Sequence, residues 1–286
     1  MKLLFKVIMF LIIFSSLIIA VYYYAMYIGA KGLNIYEYKI ENKKINEKYD
    51  GLKIVHLSDI HYGFGITEKE LLNIVNKVNL TKPDICVITG DLINNYINDD
   101  QYKELVAVLS KIEVNIGKYI IDGNHDHKYN KWEDLINESG FVNLNDSYDD
   151  IYNNTSESIF IAGVSNNTYS EKNIKDKTEL IFDYMNNQEF KSKFNILLMH
   201  EPDFVDDIDY NKFDLILAGH SHNGQVRLPF IGAFYTPENA KKYYKPYYNL
   251  SGTDFYISAG IGTSELPVRL FNKPSFNLYR IVKKQD

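Results

Sequence analysis

The stretch LKIVHLSDIH, residues 52–61, joins a β-type apolar run to a short polar segment that contains an aspartate and a histidine. An apolar run followed by a short polar motif recurs four times along the chain. The recurrences are DICVITGD at 84–91, KYIIDGNHD at 118–126, FNILLMHEP at 194–202 and DLILAGHSH at 214–222. Short apolar runs of this kind are typical of strands that are buried in a sheet. The polar groups that follow them should therefore collect at strand ends.

Helical patterns separate the early strands. Thr67 and Glu70 form a capping box before an amphipathic run, and apolar residues recur at helical spacing in 101–111 and 131–139. Alternation of strand and helix favours parallel pairing, whereas the second half is rich in strands with one helix near 178–187. The pattern predicts an α/β fold, a four-layer α-β-β-α sandwich in which two mixed β-sheets pack between helical layers.

Two other segments complete the predicted domain. Residues 34–40 alternate between apolar and polar side chains in the manner of an edge strand. Residues 143–158 are polar and rich in Asp and Asn, but they lack the glycine and the terminal glutamate of an EF-hand calcium loop. A solvated loop is the expectation for that segment.

The N-terminal region has the composition of a membrane helix. Residues 7–28 carry no charge and follow Lys2 and Lys6, which favour an N-terminus on the cytoplasmic side. We expect residues 1–32 to be a membrane anchor and linker, and residues 33–286 to form one domain outside the cell. The alternative is a cleaved signal peptide, which would make the protein secreted. Near the outer end of the helix lie four tyrosines of the interfacial type, Tyr22, Tyr23, Tyr24 and Tyr27.

The overall composition excludes some classes of protein. The 286 residues have a formal net charge of -6 and no sustained Lys/Arg block, which argues against a nucleic-acid partner. The chain has a single cysteine, Cys86, so an intramolecular disulfide and a Cys/His zinc finger are both excluded. Cys86 lies within a predicted strand, where a buried thiol is the simple interpretation.

Seven side chains with oxygen or nitrogen donors lie at the predicted strand ends. Mixed donors of this kind suit Mn, Fe, Zn or Co better than Ca or Mg, and seven ligands are too many for one ion. Two adjacent ions need a bridging carboxylate to screen their repulsion, and Asp91 is the candidate bridge. The seven candidate ligands are Asp59, His61, Asp91, Asn124, His200, His220 and His222.

At these residues the sequence resembles the calcineurin-like metallophosphoesterase superfamily. The superfamily pattern D-x-H, G-D, G-N-H-[DE], H, G-H-x-H is matched in order over about residues 53–282. Within the superfamily, the segments GHSHNGQVRLPFIG at 219–232 and AGIGTSELPVRL at 259–270 are most similar to the bacterial membrane-associated phosphodiesterase group.

The resemblance implies a two-metal hydrolase. A metal-bridging hydroxide would attack phosphorus in line, and His125 would protonate the leaving group. One ion would take Asp59, His61, Asp91 and His222, and the other would take Asp91, Asn124, His200 and His220.

Four further residues enter through the same resemblance. Many family members have an aspartate that orients the acid histidine at the position of Asn94, where this chain has an amide. Asp126 is either a partner of the ligands or an ordinary loop carboxylate. Arg227 and Arg269 are candidate phosphate contacts, with surface or core ion pairs as the alternative.

The sequence thus predicts a membrane-anchored, metal-dependent phosphodiesterase outside the cytoplasm. Its substrate would be a phosphorylated small molecule or a lipid or envelope component. One alternative is a pyrophosphatase that acts on a nucleotide-linked lipid precursor and faces the cytoplasm. Another is a noncatalytic metal-binding scaffold.

Overall fold

Two six-stranded mixed sheets form the centre of the protein. The computed structural model describes residues 2–166, 168, 173–186 and 193–285. In the first sheet the strand order is β1-β14-β2-β3-β4-β5; β2 to β5 are parallel, and β14 runs parallel to β1 but antiparallel to β2. These strands are β1 (Asn34–Asn42), β2 (Leu52–Leu57), β3 (Ile85–Thr89), β4 (Gly117–Ile121), β5 (Val142–Asn143) and β14 (Ser275–Lys283).

The second sheet has the order β12-β13-β9-β8-β7-β6, with parallel pairing from β13 to β7 and an antiparallel strand at each edge. Its strands are β6 (Ser147–Tyr152), β7 (Ser158–Gly163), β8 (Asn195–Leu198), β9 (Leu215–Ala218), β12 (Tyr247–Leu250) and β13 (Thr253–Ile257). A separate small hairpin joins β10 (Arg227–Leu228) to β11 (Gly232–Ala233). All five apolar runs that were predicted to be buried strands form strands, namely β2, β3, β4, β8 and β9.

Helices cover the outer face of each sheet. The first sheet carries α2 (Glu68–Leu80), α3 (Asp99–Leu109) and α4 (Trp132–Glu138), and the second carries α5 (Ile174–Asn186) with the 3₁₀ turns Pro202–Asp207 and Tyr210–Lys212. The capping box predicted at Thr67 and Glu70 is formed at the start of α2. This arrangement confirms the four-layer α-β-β-α sandwich.

The alternation of side chains along β2 shows how the layers are held together. Val55 and Leu57 face the helices and pack with the apolar sides of α2, α3 and α4. Ile54 faces the other way, where it belongs to the core between the sheets together with Ile196 and Leu217 of the second sheet. The side chains of both cores are buried and closely packed, which fixes the strand ends relative to one another.

One prediction about the sheets was wrong. Residues 143–158 were expected to form a solvated loop, but Ser147–Tyr152 form β6, the edge strand of the second sheet. An edge strand needs an apolar side chain only on the face that packs on the core. Ile151 provides one, and its neighbours Asp149 and Asp150 are half-buried. Cys86, in contrast, is a buried core thiol as expected.

The N-terminal helix lies outside the four-layer sandwich. It consists of α1 (Lys2–Tyr24) and a π-helical turn (Ala25–Gly29). Among the described residues, Lys2–Gly29 is the one helical stretch with the length and composition to cross a membrane, with a mean hydropathy of 2.7 and none of its apolar window buried. The π-helical turn contacts the folded domain through Ala25, which packs with Val268 and Leu270.

Candidate metal centre

The predicted metal ligands lie in loops that follow five parallel strands. Asp59 and His61 follow β2, Asp91 follows β3, and Asn124 lies just beyond β4. In the second sheet His200 follows β8, and the histidines of GHSH follow β9. Because the carboxyl ends of parallel strands lie at one edge of a sheet, short loops are sufficient to bring these side chains together.

Five of the seven candidate ligands have a left-handed backbone, which non-glycine residues adopt rarely. Their φ angles are 51° at Asp59, 49° at His61, 51° at Asp91, 63° at His220 and 46° at His222. Such a conformation persists only where the surrounding structure imposes it, and it concentrates at functional sites. The loops are therefore shaped to aim these side chains inward.

The first group of donors consists of Asp59, His61 and His222. Nε2 of His61 lies 3.2 Å from Nε2 of His222, and Nε2 of His222 lies 3.4 Å from Oδ1 of Asp59. All three donor atoms lie within 4.8 Å of one another, and all three residues are buried. Two ring nitrogens that face each other across this distance beside a carboxylate form a site for a cation.

The second group consists of Asp91, His200 and His220, with their donor atoms again within 4.8 Å of one another. Asn124 joins this group, because its Oδ1 lies 3.1 Å from Nε2 of His200.

Asp91 lies between the two groups. Its Oδ2 is 3.5 Å from Nε2 of His61 and 3.3 Å from Nε2 of His200. Its Oδ1 accepts a hydrogen bond from the backbone N–H of His125 at 2.9 Å, which fixes the carboxylate plane. The structure therefore brings together all seven residues that were predicted from the sequence, in two groups that share one carboxylate.

Hydrogen bonds on the outer side of the rings leave the inner nitrogens available. Nδ1 of His200 contacts the carbonyl oxygen of Thr89 at 2.7 Å, and Nε2 of His220 contacts the carbonyl oxygen of Glu238 at 2.7 Å. A ligating histidine usually donates its second N–H to such an acceptor, which sets the tautomer and the ring orientation. The donor set therefore fits two transition-metal ions.

The electrostatics of the metal-free groups also favour bound cations. Burial lowers the pKa of His61 to about 3 and lowers the pKa of His222 well below its ordinary value, so both rings are neutral and able to bind a metal. Burial raises the pKa of Asp59 to about 7, because this carboxyl group has lost its water. A cation beside Asp59 would supply the missing positive charge.

At Gly219 and Gly123 the backbone passes close to the carboxylates of Asp59 and Asp91. A Cβ at Gly219 would lie 2.0 Å from Oγ of Ser58 and 2.6 Å from Oδ2 of Asp59. A Cβ at Gly123 would lie 2.3 Å from Oδ1 of Asp91. Only glycine fits at these two positions, because a side chain would push the two carboxylates out of place.

His125 lies at the edge of the centre. Its ring stands edge-on to that of His61, with 4.8 Å between the ring centroids. Its Nδ1 is buried and has no hydrogen-bond partner among the described residues. Neither His56, which is buried in the core, nor His127, which contacts the carbonyl oxygen of Asn124, belongs to the cluster.

Asn94 is placed differently from the expectation. The family pattern suggested that it orients His125, but its Oδ1 lies 3.2 Å from Nδ1 of His61. Asn94 follows the Asp91 loop and meets the Asp59–His61 loop through a backbone bond to Tyr62. Its position is that of a partner that would orient the ring of the candidate ligand His61.

Asp126 is more than a loop carboxylate. Its two oxygens accept backbone hydrogen bonds from Leu92 at 3.2 Å, Ile93 at 3.0 Å and Gly123 at 2.8 Å. The carboxyl group therefore fastens the loop that carries Asp91 to the loop that carries Asn124.

The two arginines have different environments. Arg269 is fully buried; its guanidinium donates to the carbonyl oxygens of Gly260 and Gly262, and its Nη2 lies 3.2 Å from Nδ1 of His222. Because the side chain is fully buried, Arg269 is not placed to contact a phosphate, contrary to that expectation, and its guanidinium lies against the candidate ligand His222 instead. Arg227 is half-buried, and its Nη1 donates to the carbonyl oxygen of Asn223 at 2.6 Å.

Sequence analysis did not identify several groups that contact or adjoin the candidate ligands. Thr89 and Glu238 act through backbone carbonyls, which leave no sequence pattern. Asn272 donates from Nδ2 to the carbonyl oxygen of His222 at 2.5 Å. Glu201 is buried next to His200 and accepts from the backbone N–H of Thr168 at 2.9 Å. Glu201 lies within the quoted stretch FNILLMHEP, but the sequence did not indicate a role for it.

Comparison with known proteins agrees with this geometry. The family model described as calcineurin-like phosphoesterase matches residues 52–224. A Bacillus subtilis (strain 168) protein named uncharacterized metallophosphoesterase YkuE is 30% identical over 263 residues, which cover 91% of this chain and 89% of that protein. A Danio rerio relative named transmembrane protein with metallophosphoesterase domain is 26% identical over 270 residues, which cover 92% of this chain and 60% of the relative.

Solved structures share the fold. A dimetal phosphatase from Danio rerio has a TM-score of 0.51 at 11% identity, with 74% of this chain and 88% of that chain covered. Protein TT1561 of Thermus thermophilus has a TM-score of 0.50 at 12% identity, with 74% of this chain and 91% of that chain covered. The likeness to these two proteins is one of fold, and the sequence match is what defines the relationship. The chain belongs to the calcineurin-like phosphoesterase family.

Proposed function

We propose that the protein is a membrane-anchored, two-metal phosphodiesterase. The single observation that carries the proposal is the position of Asp91, whose Oδ2 lies between Nε2 of His61 and Nε2 of His200 at 3.5 and 3.3 Å. A carboxylate shared by two groups of buried donors is the arrangement that a pair of adjacent cations requires.

The proposed ligand sets follow from the two groups. Asp59, His61, Asp91 and His222 would hold one ion, and Asp91, Asn124, His200 and His220 would hold the other. Their mixed nitrogen and oxygen donors favour Mn, Fe, Zn or Co. When bound, the two ions would activate water and neutralise charge on the phosphoryl group.

The chain itself would supply orientation and a proton. His125 would donate its proton to the departing oxygen of the substrate, because its ring lies against the cluster and part of it is exposed. Arg227, in the first strand of the small hairpin after His222, would contact a phosphoryl oxygen, since a guanidinium matches phosphate geometry. The buried rings of the ligands would limit the access of water to the reacting group.

The substrate would be a phosphodiester of a small molecule or of a lipid or envelope component. The net charge of -6 without a basic block gives the surface little affinity for a nucleic-acid backbone, which supports a small or membrane-bound substrate. Positive charge for an anionic substrate would come from the ions and from Arg227.

Residues 1–32 would anchor the protein in the membrane, and residues 33–286 would form the catalytic domain outside the cytoplasm. The apolar stretch that ends at Gly29 and the lysines that precede it support this orientation. Labelling of the exposed position Leu80→Cys by a membrane-impermeant maleimide in intact cells tests it, because Cys86 is buried. Labelling that requires permeabilised cells would instead support a domain that faces the cytoplasm.

The activity is tested with the purified full chain. Elemental analysis should find two transition-metal ions per chain, and bis(4-nitrophenyl) phosphate should be hydrolysed. Asp91→Asn should lose both properties, whereas Asp99→Asn at an exposed position should keep them. Turnover only of a nucleotide-linked pyrophosphate would favour the pyrophosphatase, and bound ions without turnover of diester, monoester or pyrophosphate would favour a scaffold.

A further inference from the structure

An apolar patch covers the small hairpin and the segment beside it. We define this patch by six exposed side chains, the least exposed of which is Leu266 at 61%. Soluble proteins rarely expose large apolar side chains in one area unless that area binds something. The six residues of the patch are Phe230, Ile231, Phe234, Tyr235, Leu266 and Phe271.

Two aromatic residues of the patch have a strained backbone. Phe230 has φ 66° and Phe271 has φ 52°, in the left-handed region that is unfavourable for bulky side chains. Phe230 lies in the turn of the hairpin, which is closed by a backbone bond from Ile231 N–H to the carbonyl oxygen of Leu228, and its ring is fully exposed and is not packed against the described residues. Strain that is kept at an exposed aromatic residue suggests a binding role.

The patch is continuous with the end of the N-terminal helix. Ala25 packs with Val268 and Leu270 in a small cluster that also receives Leu228 of the hairpin. The backbone N–H of Arg269 donates to the carbonyl oxygen of Ala25 at 3.0 Å. The helix that would leave the membrane therefore ends against the same two segments that carry the patch.

We propose that the apolar patch is a membrane-contact surface whose side chains enter the lipid interface beside the N-terminal helix. The inference rests on the membrane anchor of the proposed function. A bilayer is the occupant that fits best, because the helix end fixes the two patch segments next to the point where the chain would leave the lipid. Aromatic and large aliphatic side chains are the residues that partition into this interface.

Few charged residues interrupt the patch. Between Gly224 and Tyr235 the sole charged residue is Arg227. The border carries both signs: Lys241, whose Nζ lies 4.7 Å from the centroid of the Tyr235 ring, and Lys273 are exposed, and so are Glu238 and Glu265. The apolar side chains, and not a net positive charge, therefore carry the proposed contact with lipid.

The patch is also tied to the metal centre. A Cβ at Gly224, two residues after His222, would lie 2.2 Å from Cβ of Ala233, so the base of the hairpin packs directly on the ligand loop. Arg269, which follows Val268 of the helix contact, reaches His222 with its side chain. Contact of the patch with lipid would therefore hold the metal centre beside the headgroup region.

The test places a fluorescent reporter in the patch of the full-length chain. Phe230→Trp and Ile231→Trp add tryptophan at exposed positions, and the native Trp132 is buried and gives a constant background. The variants are reconstituted in vesicles of brominated phosphatidylcholine and phosphatidylglycerol. We expect blue-shifted emission from both reporters and strong quenching by the brominated chains.

Leu80→Trp is the matched control, because Leu80 is 81% exposed at the far end of α2. Its emission should be neither shifted nor quenched. Equal emission and quenching of Leu80→Trp and the two hairpin reporters would overturn the contact surface. A blue shift that depends on protein concentration and occurs without quenching would also overturn it, because it would indicate that a second copy of the chain covers the patch. Failure of the chain to float with vesicles would overturn the anchor as well as the surface.

Discussion

The side-chain oxygen of Asn94 lies 3.2 Å from Nδ1 of His61, on the side of the ring opposite to the candidate metal position. This contact leaves Nε2 of His61 directed at Asp91 and His222. An acceptor at this place fixes the tautomer in which Nδ1 carries the proton and Nε2 is free to bind a metal.

Removal of that acceptor should weaken metal binding. In Asn94→Ala the His61 ring loses its outer partner, and we expect metal affinity to fall by about 10- to 100-fold, as is usual when such partners are removed. Titration of the metal-depleted chain with Mn²⁺ measures the effect. Asn94→Asp keeps an oxygen at the same place and should retain tight binding. Equal loss in both variants would contradict the orienting role.

Asp126 provides a second prediction, about the link between two ligand loops. In Asp126→Ala the backbone N–H groups of Leu92, Ile93 and Gly123 lose their acceptor inside the protein. Each buried donor without a partner costs about 1–3 kcal/mol, so the free energy of unfolding should fall by about 3 kcal/mol or more. Urea unfolding in detergent measures it. Asp99→Ala removes an exposed carboxylate and should change little; a similar small effect in Asp126→Ala would contradict the link.

The sequence was sufficient for the features that depend on local pattern. The strand before Asp59 and the strand before Asp91 were predicted because each is a short apolar run that ends in a polar motif. The edge strand Ser147–Tyr152 was missed because its aspartates Asp149 and Asp150 are half-buried in side-chain hydrogen bonds at a sheet edge, so the apolar alternation is weak.

The supporting contacts around the metal centre could not be predicted in the same way. The contact between Asn94 and His61 joins two loops that are 33 residues apart, and that between Arg269 and His222 joins two that are 47 residues apart. Such contacts depend on the packing of whole layers. Where the contribution is a backbone carbonyl, as at Thr89 and Glu238, the side chain carries no information about it.

His56 predicts how the stability of the fold depends on pH. Its ring is buried between Thr89 and Tyr279, and burial lowers its pKa to about 3 from the ordinary 6.5. Between these values the unfolded chain binds a proton that the folded chain does not, so the free energy of unfolding falls as the pH decreases from 6.5. At pH 5 this single group should cost about 2 kcal/mol relative to neutral pH.

Substitution of the ring isolates its share of that pH dependence. Urea unfolding of the native chain and of His56→Gln at pH 7.5 and pH 5 measures it. The native chain should lose about 2 kcal/mol more than the variant over this interval, because glutamine does not titrate. All other groups contribute equally to both proteins. Parallel losses would mean that the His56 ring is protonated in the folded state.

His125 provides the last prediction, which concerns its proposed role as the acid. In His125→Ala a diester with an alkyl leaving group should lose about 10²-fold or more in kcat, since an alkoxide needs a proton to depart. A 4-nitrophenyl diester should lose much less, because 4-nitrophenolate is stable without one. Nδ1 of His125 has no partner among the described residues, yet the ring also lies near enough to His61 and Asp91 to be a ligand. Elemental analysis of the variant separates the two roles. Unchanged metal content, with a loss of kcat that depends on the leaving group, supports the acid. Loss of one ion, with an equal loss of kcat on both substrates, would make His125 a ligand.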